Sequence, residues 1–407
     1  MYSGSSMLLK STWCSPMALV LSILLVLHGY VALRLAPALG AWPIVQVALC
    51  TLLAISALAI PGALLLLGRR SRARTTSSQR LKAVGFLMVG LASSLLVLTL
   101  LRDVVLGVVA VAWLLPNAWA DGRPGPWPGA GKLREASALA VPLLALAAWS
   151  AGWLGARRTA AVRHVDIPIA GLPTALEGFT IVQLSDIHVG DTIGRNYVQA
   201  IVNRANSLHP DVVALTGDLV DGTVSRLAQD VAPLAQLRSR FGTFFVTGNH
   251  EYYSGAGPWI AEFHRLGFQG LLNRHVVLEH GGAKLAIAGV TDYSGHHFSP
   301  AHRSDPAAAI HGAPRDLSVK ILLAHQPRSA AAAADAGFDL QLSGHTHGGQ
   351  FLPWNFFVRL QQPYTAGLAR LRSMWVYTSR GTGYWGPPMR LGAPSEITRI
   401  RLVREAP

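Results

Sequence analysis

The stretch Leu184–His188, with the sequence LSDIH, decides how the second half of this chain is interpreted. It ends an apolar run, Phe179–Leu184, whose short length and β-branched residues are typical of a buried strand. Side chains two residues apart in an extended backbone point in the same direction. Asp186 and His188 are therefore expected to present a carboxylate and an imidazole to one point beyond the strand end, where ligands bind in open α/β sheets.

Later strand-like runs also end in residues of the types that bind metal ions. The pattern predicts further strands at Asp211–Thr216, Thr243–Thr247, Lys320–Ala324 and Asp339–Leu342. The polar residues that follow them are, in chain order, Asp218, Asn249, His250, His325, His345 and His347. Because ligands in such sheets bind where the carboxyl ends of the strands meet, these side chains are expected to lie close together.

Strand and helix patterns alternate after Arg163, which indicates β-α-β units. Helical periodicity predicts helices at Asn196–Leu208 and around Ser225–Leu237. The sequence also predicts a hairpin and two final strands, at Val276–Leu278 with Lys284–Val290, at Met374–Thr378 and at Glu396–Val403.

The first part of the chain differs in composition from the second. Of the 407 residues, 51% are hydrophobic, and the formal net charge is +14. Residues 1–165 hold fifteen Lys and Arg against three Asp and Glu, whereas the remainder holds twenty against eighteen. A nucleic-acid-binding protein is expected to carry its positive excess on the folded domain, so no nucleic-acid partner is expected. Both cysteines, Cys14 and Cys50, lie in the first part, so the second has no thiolate metal ligands.

Four apolar segments are predicted to span a membrane, namely Met17–Ala32, Ile44–Leu67, Ala83–Leu101 and Ala138–Leu154. The first is either a signal peptide or an uncleaved helix, and the apolar segments after it favour the helix. Val104–Leu115 is too short to cross alone, so it extends the third helix, lies at the interface or belongs to a re-entrant hairpin. Pro116–Lys132 is rich in Pro, Gly and Trp and predicts an exposed loop.

The topology is predicted from basic residues, which favour the cytoplasmic side of a membrane. The basic run Arg69–Arg74 indicates a cytoplasmic loop. Four spans then place the second half of the chain in the cytoplasm, whereas five would place it outside. We favour four and expect an integral protein of a bacterial inner (plasma) membrane, with the external face as the alternative. Arg102 and Asp103 are interpreted as a helix-end pair at the interface, and the spans as an anchor.

In their order along the chain, the polar motifs resemble those of the calcineurin-like metallophosphoesterases over about residues 175–350. They are Asp186-x-His188, Gly217-Asp218, Gly248-Asn249-His250-Glu251, His325 and Gly344-His345-x-His347. The segment Glu251–Gly255 further resembles the membrane-attached branch of that family. The resemblance implies a four-layer, two-sheet α/β sandwich with a dinuclear metal centre in residues 161–407. Residues 1–160 are then expected to form a multi-span membrane anchor of about four α-helices.

The resemblance also implies which side chains bind the two metal ions. One ion is expected at Asp186, His188, Asp218 and His347, and the other at Asp218, Asn249, His325 and His345. A carboxylate has two oxygens and suits the shared position, which falls on Asp218, and two metal ions can clamp a phosphoryl group and the attacking water. The expected nucleophile is a hydroxide that bridges the ions. The mixed set of ligands suits Mn, Fe, Zn or Ni.

Two further residues are predicted to act in catalysis. His250 follows Asn249 directly, where it can bind a phosphoryl oxygen or protonate the leaving group; the alternative is a buried histidine bonded to the main chain. Asp221 either orients His250 as a supporting carboxylate or caps a helix. Glu251 is expected to have a structural role.

A group of apolar residues after the last histidines has two interpretations. Trp354, Phe356, Phe357 and Trp385 either form an apolar lip that faces the membrane or belong to the core, and we favour the core. Arg380, in a glycine-rich turn, is a candidate for contact with phosphate.

The sequence as a whole predicts a membrane-anchored binuclear phosphoesterase that hydrolyses a phosphomonoester or phosphodiester. Attachment to the bilayer suggests a phospholipid or lipid-linked substrate. The alternative from another class is a membrane sensor or scaffold that binds phosphorylated ligands through a phosphoesterase-like domain without turnover.

Overall fold

The computed structural model describes residues 16–68, 76–121 and 127–405. Contacts between residues divide the chain into two compact units, Met1–Ala148 and Trp149–Pro407. The predicted change of domain after residue 160 stays a prediction. The predictions for Cys14 and for the basic run Arg69–Arg74 lie outside the described residues.

Long apolar helices form the first part of the described chain. Their bounds are Pro16–Leu35 (α1), Pro43–Gly68 (α2), Thr76–Asp121 (α3) and Ala130–Arg157 (α4). Each contains a stretch that is long and apolar enough to cross a membrane. The prediction of four spans is confirmed to this extent, by the length and composition of the helices.

The structure decides between the alternatives for one segment of this region and corrects the prediction for another. Val104–Leu115 extends the third helix, because α3 continues without a break to Asp121. The predicted loop Pro116–Lys132 is therefore too long, since it overlaps the end of α3 and the beginning of α4. Pro116 lies inside the helix, where a proline removes one main-chain hydrogen bond. A helix of 46 residues retains enough of the others to continue.

Arg102 and Asp103 lie inside α3 and join neighbouring helices, so their interpretation as a helix-end pair is wrong. Asp103 accepts hydrogen bonds from the hydroxyl of Tyr30 and from Nε of Arg34, both at 2.6 Å. Arg102 donates from Nε to Oγ of Ser137 at 2.9 Å. The pair thus connects α3 to both α1 and α4.

The strands of the second unit form two six-stranded sheets. The strands are Ala161–Ile169 (β1), Thr180–Leu184 (β2), Val212–Leu215 (β3), Thr243–Phe245 (β4), Gln269–Gly270 (β5), Arg274–His280 (β6), Ala283–Gly289 (β7), Val319–Leu323 (β8), Leu340–Ser343 (β9), Gly367–Leu371 (β10), Met374–Thr378 (β11) and Glu396–Arg404 (β12). Their order is β1-β12-β2-β3-β4-β5 in one sheet and β10-β11-β9-β8-β7-β6 in the other. Parallel pairs join β2 to β3, β3 to β4, β7 to β8 and β8 to β9, so their carboxyl ends lie at common edges.

Shorter helices connect and cover the sheets. They are Arg195–Asn206 (α5), Val224–Val231 (α6), Asn249–Ser254 (α7), Ala256–Arg265 (α8), Pro306–Ile310 (α9), Ala330–Asp335 (α10) and Trp354–Gln361 (α11). Helix α5 shows why such segments pack on a sheet. Its buried residues Val198, Ile201, Val202 and Ala205 are spaced three or four apart and form one apolar face.

Hydrophobic residues fill three layers of core, which gives the predicted four-layer sandwich. Ile181 of β2 and Ile321 of β8 belong to one cluster between the two sheets. Val182, the neighbour of Ile181, belongs to a second cluster with residues of α5, α6 and α8, as expected from the alternation of side chains along a strand. A third cluster places Ala333 of α10 against the outer face of the other sheet. The predicted fold class is confirmed.

Candidate metal centre

The side chains predicted as metal ligands follow the ends of strands from both sheets. Asp186 and His188 follow β2, Asp218 follows β3, and Asn249 begins α7 after β4. His325 follows β8, and His345 and His347 follow β9. All except His345 are buried. The expected convergence at the carboxyl ends of the strands is therefore present.

The first set of converging side chains contains Asp186, His188 and His347, each of which offers one ligand atom within 4.8 Å of the others. Nε2 of His188 lies 3.1 Å from Nε2 of His347, which in turn lies 3.6 Å from Oδ1 of Asp186. The carboxylate of Asp186 is held in place by the main-chain N–H of His345 at 2.9 Å. These residues can hold a metal ion.

The second set contains Asp218, His325 and His345, again within 4.8 Å of one another. Nδ1 of His325 donates to the carbonyl of Thr216 at 2.8 Å, which leaves Nε2 free to bind a metal ion. That Nε2 lies 3.1 Å from Oδ2 of Asp218 and 3.2 Å from Nδ1 of His345. Electron-rich atoms so close together favour a cation between them.

Asp218 and Asn249 add two observations that fit bound cations. Oδ2 of Asp218 lies 3.9 Å from Nε2 of His188, so this carboxylate lies between the two sets. The carbonyl Oδ1 of Asn249 is buried and has no hydrogen-bond partner among the described residues. A buried polar atom without a partner is costly, and a metal ion would satisfy it. The donor types and their placement are compatible with a metal-binding site.

The backbone is strained at most of these residues. Five of the seven predicted ligands have positive φ angles, namely Asp186 (53°), His188 (54°), Asp218 (52°), His345 (70°) and His347 (51°). Such angles are uncommon for residues other than glycine and cost about 1–3 kcal/mol each. They persist only where the surrounding structure imposes them, and they are concentrated at functional sites.

Glycines beside the ligands allow the backbones to approach closely. Gly217 has a φ of 88°, and a Cβ atom there would lie 2.6 Å from the amide nitrogen of Gly248 and 2.8 Å from Nδ1 of His325. A Cβ atom on Gly248 would overlap Oδ1 of Asp218. The glycines that precede Asp218 and Asn249 in the sequence motifs are therefore required by the packing.

His250 and Asp221 form a hydrogen-bonded group with His188. Oδ1 of Asp221 lies 2.5 Å from Nδ1 of His250 and 3.1 Å from Nδ1 of His188. Nε2 of His250 lies 4.0 Å from Oδ2 of Asp218. Asp221 thus orients both rings. Among the described residues, no hydrogen bond joins the ring of His250 to a main-chain carbonyl.

Burial and charge shift the pKa values of these groups in different directions. Burial lowers the pKa of His345 to about 3 and that of His347 well below its usual range, which favours the neutral imidazole that binds metal ions. Burial would also lower the pKa of His250, but the carboxylates of Asp218 and Asp221 raise it to about 9. Burial would raise the pKa of Asp221, but the adjacent imidazoles hold it far below its usual range.

Glu251 is a clamp for the turn that carries Asp218, in keeping with its predicted structural role. Its buried carboxylate accepts main-chain hydrogen bonds from Asp218 at 2.9 Å, Leu219 at 2.7 Å and Gly248 at 2.6 Å. Burial and the nearby Asp218 raise the pKa of Glu251 to about 8.

Arg390 is a residue of this site that the sequence analysis did not identify. Nη2 of its buried guanidinium lies 2.9 Å from Nδ1 of His347, and Nη1 donates to the carbonyl of His347, also at 2.9 Å. It also donates to the carbonyls of Arg380, Gly383 and Ala393. The main-chain N–H of Arg390 donates to the carbonyl of Gly152, near the end of α4, at 2.8 Å.

Two minor predictions have different outcomes. The core interpretation of Trp354, Phe356, Phe357 and Trp385 is wrong, because these side chains are exposed by 45%, 61%, 53% and 48%. Hydrophobic residues are not confined to interiors, and a sequence does not show which apolar face stays uncovered. Arg380 lies 3.7 Å from Glu396, and its contact with phosphate stays a prediction.

Comparisons with known proteins identify the family. A sequence profile described as calcineurin-like phosphoesterase matches residues 179–349. A Bos taurus protein named transmembrane protein with metallophosphoesterase domain is 42% identical over 298 residues, which cover 70% of this chain and 66% of that protein. An uncharacterised metallophosphoesterase from Aquifex aeolicus is 33% identical over 243 residues, covering 59% of this chain and 91% of that protein. The chain belongs to the calcineurin-like metallophosphoesterase family.

The relatives differ in how much of their length is matched. The match spans less than two thirds of the bovine protein and 59% of a transmembrane relative from Danio rerio. The solved structure of a dimetal phosphatase from Danio rerio aligns over 51% of this chain and 88% of that chain, with 12% identity and a TM-score of 0.32. Together with the four long apolar helices, the transmembrane relatives indicate a membrane protein of this family.

Proposed function

We propose that this protein is a membrane-anchored phosphoesterase that uses two metal ions to hydrolyse a phosphomonoester or phosphodiester. The observation that carries the proposal is the convergence of two sets of ligands on either side of Asp218. Membership of the metallophosphoesterase family supports the reaction class.

The ligand assignment follows the two sets. Asp186, His188, Asp218 and His347 would hold one ion, and Asp218, Asn249, His325 and His345 the other. Bound there, the ions supply positive charge for a phosphoryl group and make water more acidic. Carboxylate, imidazole and amide donors in one site suit Mn, Fe, Zn or Ni.

His250 is proposed as the residue that contacts the reacting phosphoester. Asp221 holds its Nδ1, so the ring is fixed and its Nε2 remains available on the side of Asp218. An imidazole in this position can donate a hydrogen bond to a phosphoryl oxygen or a proton to the leaving group. Asp221 is a positioning residue for this role.

Aromatic side chains around His250 support a substrate with an apolar part. The rings of Tyr253 and Trp385 lie with their centroids 5.2 Å and 5.4 Å from that of His250, and Phe298 lies 5.7 Å from Tyr253. All three are exposed by about half or more of their surface. Together with the membrane anchor, they favour a phospholipid or a lipid-linked phosphoester.

The proposal is tested with the full-length protein in lipid nanodiscs, loaded in turn with Mn, Fe, Zn or Ni. The substrates are p-nitrophenyl phosphate, bis-p-nitrophenyl phosphate and a panel of phospholipids, with released products measured by absorbance or mass spectrometry. We expect metal-dependent turnover that is lost in Asp218→Asn and His250→Ala. Only Asp218→Asn should also lose metal, as measured by inductively coupled plasma mass spectrometry.

Several results would contradict parts of this proposal. A metal-loaded protein that binds phosphorylated ligands but turns over none of the substrates would indicate the sensor or scaffold instead. If the nitrophenyl esters are hydrolysed but no phospholipid is, only the proposal of a lipid substrate is contradicted. Reporter fusions after Arg158 test on which side of a bacterial inner membrane the following part of the chain lies. We propose the cytoplasmic side, and the alternative is the external face.

A further inference from the structure

Helix α11 presents its large apolar side chains outward. It contains no buried residue, and Trp354, Phe356, Phe357 and Leu360 are all exposed, Leu360 by 83%. At about 100° per residue, these four positions fall on one side of the helix. A soluble surface rarely carries so many large apolar side chains together, so this face marks a contact with an apolar phase or partner.

The opposite side of α11 is fixed to the candidate metal centre. Asn355 packs against Gly349, where a Cβ atom would lie 2.1 Å from Cα of Asn355. Gly349 lies two residues after His347, and the helix begins seven residues after this predicted ligand. The polar Asn355 faces the protein and the aromatic residues face outward, the reverse of the arrangement in a helix that packs on a core.

The charges around this face are those that anionic lipid headgroups attract. Arg359 is an exposed cation on α11, and the helix contains no Asp or Glu. Arg328 adds a further cation, since its Nη2 donates to the carbonyl of Gln361 at 2.6 Å. Basic and aromatic residues on one short amphipathic helix are typical of segments that lie in a membrane interface.

The bilayer is the partner that the membrane-spanning helices of this chain suggest for the exposed face of α11. The α4 segment, long and apolar enough to span a membrane, ends at Arg157, and β1 begins at Ala161. Three residues in between reach about 10–14 Å at most, so β1 begins close to the lipid surface.

We propose that α11 inserts its exposed face into the interface of an anionic bilayer and so holds the entrance of the metal centre at the lipid surface. This inference does not depend on the proposed hydrolytic activity. It assigns to Trp354, Phe356, Phe357 and Leu360 a contact with acyl chains, and to Arg359 a contact with phosphate groups of the headgroups.

The test measures the depth of α11 in the full-length protein. Both native cysteines are changed to serine, and a nitroxide spin label is attached to a single new cysteine, Leu360→Cys or, as the matched control, Asp316→Cys. Asp316 is exposed by 64% and precedes β8, so it lies at the edge of the sheet opposite to the metal centre. Each protein is placed, one copy per nanodisc, in phosphatidylcholine with phosphatidylglycerol. Power saturation then compares access by oxygen, which enters lipid, with access by a water-soluble nickel chelate.

We expect the label at position 360 to be at least threefold less accessible to nickel than the label at 316, and more accessible to oxygen. Phosphatidylcholine alone, or the additional change Arg359→Ala, should reduce this difference. Equal access by nickel at both positions would overturn the proposal. If the label at 360 is protected only in liposomes that hold several copies, and shows dipolar broadening there, a second copy covers the helix and the proposal is wrong. Metal content equal to that of the unlabelled protein verifies the fold of each variant.

Discussion

Gly217 offers a sharp test of how the metal centre is built, through the substitution Gly217→Ala. This glycine has a φ of 88°, and an added Cβ atom would meet the main chain of Gly248 at 2.6 Å and His325 at 2.8 Å. The left-handed conformation costs about 1–2 kcal/mol for alanine, and the overlap with fixed neighbours adds about 1–3 kcal/mol. The free energy of unfolding should therefore fall by about 2–5 kcal/mol.

The chain contains a matched control in Gly178→Ala. Gly178 has nearly the same φ, 83°, but a Cβ atom there would have no neighbour within 4 Å. Both substitutions reduce the entropy of the unfolded chain equally, so the difference between them isolates the overlap at Gly217. At about 2–4 °C per kcal/mol for a domain of this size, we expect the midpoint of unfolding of Gly217→Ala to lie about 2–12 °C below that of Gly178→Ala.

The assay is thermal unfolding of the full-length protein in detergent, followed by tryptophan fluorescence, with metal content measured in parallel. Gly217→Ala should also bind less metal, because its neighbour Asp218 and the ring of His325 must both shift. If the two variants unfold at the same temperature and hold the same amount of metal, the close approach at Gly217 does not position the ligands and the reasoning is refuted.

Three other substitutions test other parts of the molecule. Gly85→Ala places a Cβ atom 2.3 Å from that of Ala63 across the contact between α2 and α3, so thermal stability in detergent should fall by about 1–3 kcal/mol. Arg390→Lys keeps the charge but has fewer donors for the four main-chain carbonyls that the arginine bonds, so both the unfolding midpoint and the metal content should fall. Asp221→Asn should reduce kcat about 10–100-fold, as measured with the best substrate of the nanodisc assay, because it weakens the support of two histidines.

Controls for these substitutions lie nearby in the chain. Gly107→Ala, in the same helix as Gly85 but without a neighbour within 4 Å, should leave stability unchanged or raise it. Arg380→Lys alters an arginine of the same loop whose side chain is exposed by 27%, and it should change neither midpoint nor metal content. If Gly85→Ala has the same effect as Gly107→Ala, the packing argument for the helices is contradicted. If Arg390→Lys has the same effect as Arg380→Lys, the argument for Arg390 is contradicted. An unchanged kcat in Asp221→Asn would show that the orientation of His250 does not limit the reaction.

The positions of the candidate ligands were predictable because each lies a few residues beyond a strand that the local pattern reveals. Asp186 follows β2 and His325 follows β8, and both strands are apolar runs buried on two faces. Because these strands run in parallel pairs, their carboxyl ends meet at one edge of each sheet. The proximity of the residues that follow them could therefore be predicted from the strands alone. The assignment of these residues as ligands stays a prediction until metal is measured.

The strands that the sequence did not reveal lie at the edges of the sheets. They are β1, β5 and β10. The side chains of β1 are partly exposed, and it contains Pro168, which a central strand would exclude. Strand β5 has only two residues. An edge strand needs neither a continuous apolar run nor a length that sequence patterns detect.

Arg390 escaped prediction for a different reason. Its partner His347 is 43 residues away in the chain, and the contact depends on how a loop without regular structure folds back. Nothing in the local sequence distinguishes a buried arginine that bonds four main-chain carbonyls from one in solvent. The exposed face of α11 was misjudged because its apolar pattern is the same whether protein, lipid or water covers it.

The hydrogen bond from Arg390 to Gly152 has a practical consequence for anyone who wishes to free this protein from lipid. Residues Trp149–Arg157 group with the α/β unit, and a Cβ atom on Gly155 would lie 2.6 Å from the carbonyl oxygen of Arg390. A truncated, water-soluble version that begins at Ala161 would discard this packing and leave the main-chain N–H of Arg390 without its acceptor. Such a version should retain the last two turns of α4 and exchange outward residues such as Leu154 for polar ones.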